Sequence, residues 1–324
     1  MIEIDGSHGE GGGQIIRTSL TLSAITKKSV HIFNIRANRS NPGLQMQHLT
    51  SAKAVRSICR GTLTGAELGS RELTFEPGEI IGGRYDFNIG TAGSTSLVAQ
   101  TVIPIAIMAA KPSEITIQGG THVMKSPSYD YLDKVFVPAI NTMGAKVKIK
   151  MRRSGYYPRG GGEILVEVEP SKLAGNTDWR TTDSDVSVLI RLSNLQMQIA
   201  MHEKKIFVEK NIERIRVIQE QALDPGNAIL AWKGFHGAYS LGEKSKRAEL
   251  VAKEALDEIL TTENFDVDRH LADQLLIYTM LAEGKTSFTT TEITEHLKTN
   301  AEIASKFIDR KIEINNEKKK AIVF

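Results

Sequence analysis

Hydrophobic and polar positions along the chain recur in one order: strand, helix, strand, helix, then two strands. From Met1 to about Pro77 the alternation predicts a strand at Ile2–Ile4 and a helix over Gly11–Thr26 behind a glycine-rich bend. A strand at Val30–Ile35, a helix over Leu44–Cys59 and a hairpin of Thr62–Thr64 with Glu72–Phe75 complete this unit. A second copy spans about Gly83–Pro170. It has a strand at Tyr85–Ile89, a helix over Ser94–Ala110, a strand at Glu114–Ile117 and a helix over Tyr129–Met143. Paired strands at Lys146–Arg152 and Glu163–Val168 close it. A third copy occupies Asp266–Phe324, with helices over Leu271–Leu281 and from Asn300, a good N-cap, to Asp309. Its strands are Thr286–Thr291, Lys311–Asn315 and Lys320–Phe324.

Ser171–Phe265 breaks the pattern. It reads as a strand at Val186–Leu192, a charged helical region over Gln196–Gln221, strands at Ala228–Trp232 and Ala238–Leu241, and a helix over Lys246–Leu260. The expected class is therefore α+β. Three repeated βαβαββ units form a large domain (residues 1–170 and 266–324), and 171–265 is an inserted small α/β domain.

Composition narrows the class without naming a function. At 324 residues, 40% hydrophobic and 24% charged, the chain can bury a sizeable core. A net charge of +3 fits an anionic substrate or nucleic acid without demanding one. The single cysteine, Cys59, excludes an intramolecular disulfide and a cysteine-based zinc site. A reducing, cytoplasmic location is the expectation. No apolar run approaches the roughly 20 residues of a membrane span; Val98–Ala110, the longest, reads as a buried helix. The oligomeric state stays open, a dimer included.

Polar chemistry collects in a few places. Gly11, Gly12 and Gly13 precede a helix, so backbone N–H groups there can approach a phosphate; the alternative is a plain strand–helix bend. Glu10 lies in that turn, where a carboxylate suits Mg²⁺ or Mn²⁺ bridging phosphates, and Arg17 follows one helical turn later. The loop Arg36–Gly43 carries Arg36 and Arg39. Asp273 and Gln274, in His270–Gln274 (HLADQ), read as helix caps or as contacts to a ribose or base. His296, in the loop TEITEHLKTN, is either a surface histidine or a nucleophile. The P-loop, dinucleotide, H-E-x-x-H and C-x-x-C signatures are all absent. A second glycine triplet, Gly160–Gly162, reads as a wide hairpin turn set by Pro158.

Taken together, Gly9–Leu20 (GEGGGQIIRTSL), Ile35–Leu49 (IRANRSNPGLQMQHL), Gly90–Pro104, Gly155–Glu163 (GYYPRGGGE), HLADQ and Glu295–Asn300 (EHLKTN) resemble the RNA 3'-terminal phosphate cyclase family. The resemblance implies ATP-dependent conversion of an RNA 3'-phosphate end to a 2',3'-cyclic phosphate through a covalent histidine–AMP, releasing AMP and pyrophosphate. By position, His296 is then the nucleophile. Glu10 holds the metal, Mg²⁺ or Mn²⁺, with ATP. Gln100 and His270, Leu271, Ala272, Asp273 and Gln274 line the nucleotide pocket. Arg17, Arg36, Arg39 and Gln47 face the RNA phosphates. Ser154 stands where the family pattern has a basic residue, and His270 where some members have tyrosine. A non-catalytic cyclase-like scaffold in ribosome assembly is the alternative, and an enolpyruvyl-transferase-like enzyme is the rival of another class.

Overall fold

The computed structural model describes residues 1–181 and 185–324, and its elements belong to the mixed α+β class. In the first sheet, β1 (Ile2–Asp5) pairs parallel with β2 (Val30–Phe33), followed antiparallel by β4 (Leu73–Glu76) and β3 (Thr62–Thr64). The second sheet has the same order and senses: β5 (Arg84–Asn88), β6 (Ser113–Gly119), β8 (Gly162–Glu169) and β7 (Lys146–Arg153). A parallel pair needs a crossover, and helices α1 (Gly13–Thr26) and α3 (Thr95–Ile107) supply it.

Residues after β8 continue into β9 (Ser187–Ser193), α6 (Met197–Val208), β10 (Arg214–Glu220), β11 (Gly226–Lys233), β12 (His236–Leu241) and α7 (Ala248–Leu260). Their strands form a separate sheet, β10-β9-β11-β12. The buried face of that sheet and the two helices enclose a core of their own, with Val188, Ile190, Phe207, Ile229 and Val251. The expected helix over Gln196–Gln221 is corrected here. Asn211 adopts a left-handed conformation three residues beyond α6, and Arg214–Glu220 alternates as a strand beside β9. Charge density along RIRVIQE hid its period of two.

The last sheet, β13-β15-β14, joins β13 (Thr286–Thr289), β15 (Lys320–Val323) and β14 (Ile312–Asn315). Among the described residues no first strand precedes it; an isolated parallel bridge between Val267 and Thr290 stands in that place. Helices α8 (Arg269–Leu281) and α9 (Glu295–Phe307) flank β13 along the chain and pack on each other. A second correction concerns α9. Its N-cap is Thr294, whose hydroxyl accepts from Leu297 N–H at 3.0 Å, so the helix begins five residues before Asn300. Asn300 looks like a cap in sequence but works inside the helix. Its side chain accepts from Thr18 at 2.7 Å and donates to the Asp273 carbonyl at 3.2 Å.

The expected helix over Tyr129–Met143 is continuous but widened. It runs as α4 (Tyr129–Tyr131), a π-helical stretch (Leu132–Phe136) and α5 (Val137–Thr142). Pro138 has no N–H for the carbonyl four residues back, and Val137 N–H reaches Leu132 instead. α1 is buried on nearly every side and packs on α2 (Met46–Cys59), α3 and α9. It is the post around which the site is built. No helix among the described residues is long and apolar enough to cross a membrane.

Candidate active site

Helices that follow the parallel strands all begin at the same edge of their sheets, so their N-termini meet. The openings of α1, α2, α3, α8 and α9, with the segment before α4, line one cleft of about 1350 Å³. Free N–H groups and the positive end of each helix dipole therefore face a common space. The α1 terminus is the most open. Its N-cap is Gly12, with no capping side chain. The glycines are required there by close approach: a Cβ on Gly13 would stand 2.2 Å from His48 Nε2, and Gly9 lies in the left-handed region against Thr299.

His296 sits in the first turn of α9, 40% exposed, with Nδ1 3.2 Å from Glu10 Oε2. The contact is close but not aligned as a hydrogen bond. Arg39 Nη2 lies 3.5 Å from the same oxygen. Gln14 Nε2 donates to the His296 carbonyl at 2.6 Å, which ties the histidine's turn to α1. Burial lowers the imidazole pKa from its ordinary 6.5. Glu10 opposes that shift, and Arg17, Arg39 and His270 add to it. The ring is thus neutral at pH 7. Nδ1 faces a carboxylate, which leaves Nε2 as the nitrogen free to attack.

Arg17 reaches the cleft without an ion pair among the described residues, and burial pulls its guanidinium down to about 10. A desolvated cation of this kind gains from an incoming phosphate. Asp273 moves the other way. Desolvation pushes its carboxyl up to about 7, against a 2.5 Å hydrogen bond from Thr294 Oγ1. Gln100 Nε2 donates to Gln274 Oε1 at 2.6 Å, joining α3 to α8.

Ten of the twelve residues singled out in the sequence line this cleft: Glu10, Arg17, Arg36, Arg39, Gln47, Gln100, His270, Asp273, Gln274 and His296. Two do not. Leu271 and Ala272 are fully buried and turn from the cleft into the core, because consecutive helical positions cannot all face one side. Arg36, left-handed at φ 52°, spends its guanidinium on the carbonyls of Asn41 (2.5 Å) and Gly43 (2.8 Å), bracing its loop. Gln47 Oε1 accepts from Ser94 N–H at 3.1 Å, fixing α2 against the start of α3. His270 Nε2 lies 3.5 Å from Glu258; burial works against its charge, but Glu258 and Asp268 outweigh it and raise its pKa.

A family model for RNA 3'-terminal phosphate cyclase matches residues 8–314. The RNA 3'-terminal phosphate cyclase of Archaeoglobus fulgidus is 38% identical over 98% of this chain and 99% of its own length. Those of Sulfurisphaera tokodaii and Saccharolobus solfataricus are each 42% identical over 98% of this chain and 97% of theirs. The chain belongs to the RNA 3'-terminal phosphate cyclase family. The cyclase segments quoted from the sequence supply the α1 turn, the Arg36–Gly43 loop, the α3 start and the openings of α8 and α9, which form one cleft wall after another.

Several contributors to the cyclase cleft stand outside the set expected from sequence. His48 is buried beside Gly13, its Nδ1 accepting from Gln45 N–H at 3.1 Å; burial first, then Arg17 and Arg36, push its pKa down to about 3. The Gln45–His48 spacing, a reciprocal cap, is the signal that was there to be read. Tyr239, Lys246 and Glu254 form a wall from the 187–260 region, and no local pattern announces them.

Proposed function

We propose that this chain converts an RNA 3'-phosphate to a 2',3'-cyclic phosphate, with ATP cleaved to AMP and pyrophosphate. The observation that carries the mechanism is His296: a neutral imidazole at a helix N-terminus, its Nδ1 held toward Glu10 and its Nε2 side open to a cleft containing Arg17, which has no ion pair among the described residues. Nε2 attacks the α-phosphorus of ATP, the bond to pyrophosphate breaks, and the ring becomes cationic. Glu10, 3.2 Å from Nδ1, stabilises that charge. An oxygen of the RNA 3'-phosphate then takes the adenylyl group and the P–N bond breaks, leaving His296 neutral again. Finally the 2'-OH attacks the 3'-phosphorus, loses its proton, and AMP departs. Only a ribose end can complete this last step.

Arg17 and Arg39, together with the N–H groups of Gly12 and Gly13, are placed to bind phosphate oxygens. Asp273, Gln274, Gln100 and His270 form the nucleotide side. Arg36 and Gln47 act chiefly by holding the loop and helix ends that face the RNA end. A divalent cation, Mg²⁺ or Mn²⁺, fits as an ion shared with substrate. Among the described residues no group of three or more His, Cys, Asp or Glu is placed to enclose one, and Glu10 Oε1 makes no ion pair there. One carboxylate plus phosphates and water is a usual shell for Mg²⁺. Bound there, it would neutralise phosphate charge.

On the same reading the first, second and last sheets are copies of one βαβαββ unit, and 171–265 is an inserted domain. Matching strand order in the first two sheets, and the Val267–Thr290 bridge in place of the missing strand, support it.

The test is incubation with α-labelled ATP and Mg²⁺ or Mn²⁺ without RNA. Acid-labile label on the protein, absent in His296→Ala, is expected. Wild-type protein that binds RNA but takes no label would favour the scaffold reading.

A further inference from the structure

A second, smaller hollow of about 400 Å³ continues the active cleft beyond Thr91, which lines both. That volume lies within the range of ligand pockets, roughly 300–1,000 Å³. Its floor is the C-terminal edge of the parallel pair β5–β6, at Gly90, Gln118 and Gly119. One wall is the Gly155–Gly162 hairpin with Arg153, and the other is Gln221–Leu223 from the separate α/β region. Among the described residues no carboxylate lines it.

We propose that this hollow is the subsite for the nucleotide immediately 5' of the reacting RNA end. The inference rests on the cyclase reading, because it needs a polynucleotide whose 3' terminus lies in the main cleft. Such a strand has to leave the cleft from the sugar that bears the reacting phosphate. Gln47 and Thr91 mark one wall on the substrate side, and the hollow begins at Thr91.

Its chemistry suits a nucleotide. Arg153 is 63% exposed yet fixed, with Nη2 3.0 Å from Glu163 Oε2; Arg159 is fixed by Asp224 at 2.9 Å. Both guanidiniums keep further N–H groups for a phosphodiester oxygen. Asn88 Oδ1 accepts from Gly90 N–H at 2.8 Å, while its amide nitrogen and the whole Gln221 amide have no intramolecular partner among the described residues. Leu223, 54% exposed, offers an apolar surface for a base to lie against. The site reads a backbone and a base plane more than a sequence.

The experiment compares kcat/KM for a nucleoside 3'-phosphate and for di- and trinucleotides ending in 3'-phosphate. Wild type is expected to gain about tenfold or more from one nucleotide to two, the worth of one hydrogen bond to a charged group. A third nucleotide adds less. Arg153→Gln combined with Gln221→Ala should cut the gain to within about threefold. Glu163 keeps Arg152 and Gln118 as partners in that variant. Its His296 labelling by ATP and its mononucleotide rate should match wild type, which controls for folding. Equal rates for one and two nucleotides in wild type, or a variant that keeps the full gain, would overturn the subsite while leaving the cyclase reading intact. A wild type that takes no label from ATP and cyclises nothing overturns both.

Discussion

Asp268 makes no contact with the substrates proposed here, yet its loss should be felt at the active cleft. Its carboxylate is fully buried as the N-cap of α8. It accepts from the N–H groups of His270 (2.8 Å) and Leu271 (2.9 Å), from Tyr131 OH at 2.8 and 2.9 Å, and from Gly237 N–H at 2.9 Å. One side chain thus binds α8, the α4 segment and the start of β12. Asp268→Ala strands two buried donors, Tyr131 OH and Gly237 N–H, at about 1–3 kcal/mol each. It also removes a helix cap worth about 1 kcal/mol. Burial raises the Asp268 pKa, so removing a penalised charge returns part of this. A net loss of roughly 2–5 kcal/mol remains, large beside a typical 5–15 kcal/mol of folding stability.

Urea denaturation measures that loss, and a double-mutant cycle with Tyr131→Phe isolates the cause. The Tyr131 hydroxyl is already stranded in Asp268→Ala, so the double variant should lose less than the sum, with a coupling of about 1–3 kcal/mol. α8 carries His270, Asp273 and Gln274, so at temperatures where the variant stays folded KM for ATP should rise more than KM for RNA. Additive losses, or an Asp268→Ala protein within about 1 kcal/mol of wild type, would refute the argument.

Three further outcomes follow from the same geometry. The His296 imidazole, followed by NMR without nucleotide, should titrate below 6.5; Glu10→Gln should move it lower still and Arg39→Ala higher, and reversed shifts would contradict the contact with Glu10. Asp273 has a folded-state pKa raised from 3.8 to about 7, so the native state holds that proton more tightly and its stabilising contribution is lost as pH rises from about 4 to 7; Asp273→Asn should flatten the pH dependence of stability over that window. Arg191 binds buried Asp130 at 2.6 and 2.9 Å and Glu220 at 3.1 Å, and His122 reaches Asp130 at 2.9 Å. Arg191→Ala should therefore cost about 3–5 kcal/mol in denaturation, and Arg191→Met with Asp130→Leu much less, because the first leaves a buried charge uncompensated.

Elements whose side chains alternate or recur cleanly were legible in the sequence: β1 to β8 and helices α1 to α3 lie close to their expected positions. Misreadings share a cause. At TEITEHLKTN the expected cap, Asn300, is held inside the helix by Thr18 and the Asp273 carbonyl, and Thr294, six residues earlier, takes the capping role. Local propensity cannot see Thr18, 282 residues away in sequence. At Gln196–Gln221 charge masked an alternating strand that becomes evident once β9 lies beside it. The cleft residues were legible as types but not as neighbours. HLADQ marked a helix start, yet its two apolar members belong to the core, and the wall formed by Tyr239, Lys246 and Glu254 left no local trace.

The position of His296 in the helix, rather than in a loop before it, changes what the residue can do. A loop histidine can adopt several orientations, and its reactivity would depend on the substrate to hold it. In the first turn of α9 the backbone is fixed by Thr294, whose hydroxyl also donates to Asp273 at 2.5 Å, and by Gln14 on the His296 carbonyl. The same α9 terminus that positions the ring adds its positive dipole to those of α1, α2, α3 and α8 around the cleft. That field disfavours a protonated imidazole before reaction and favours the phosphate that must approach it. Glu10 is the local exception, a single carboxylate beside Nδ1, which becomes most useful once attack has made the ring cationic. The convergence of helix starts thus serves two steps with opposite charge demands, and one carboxylate reconciles them.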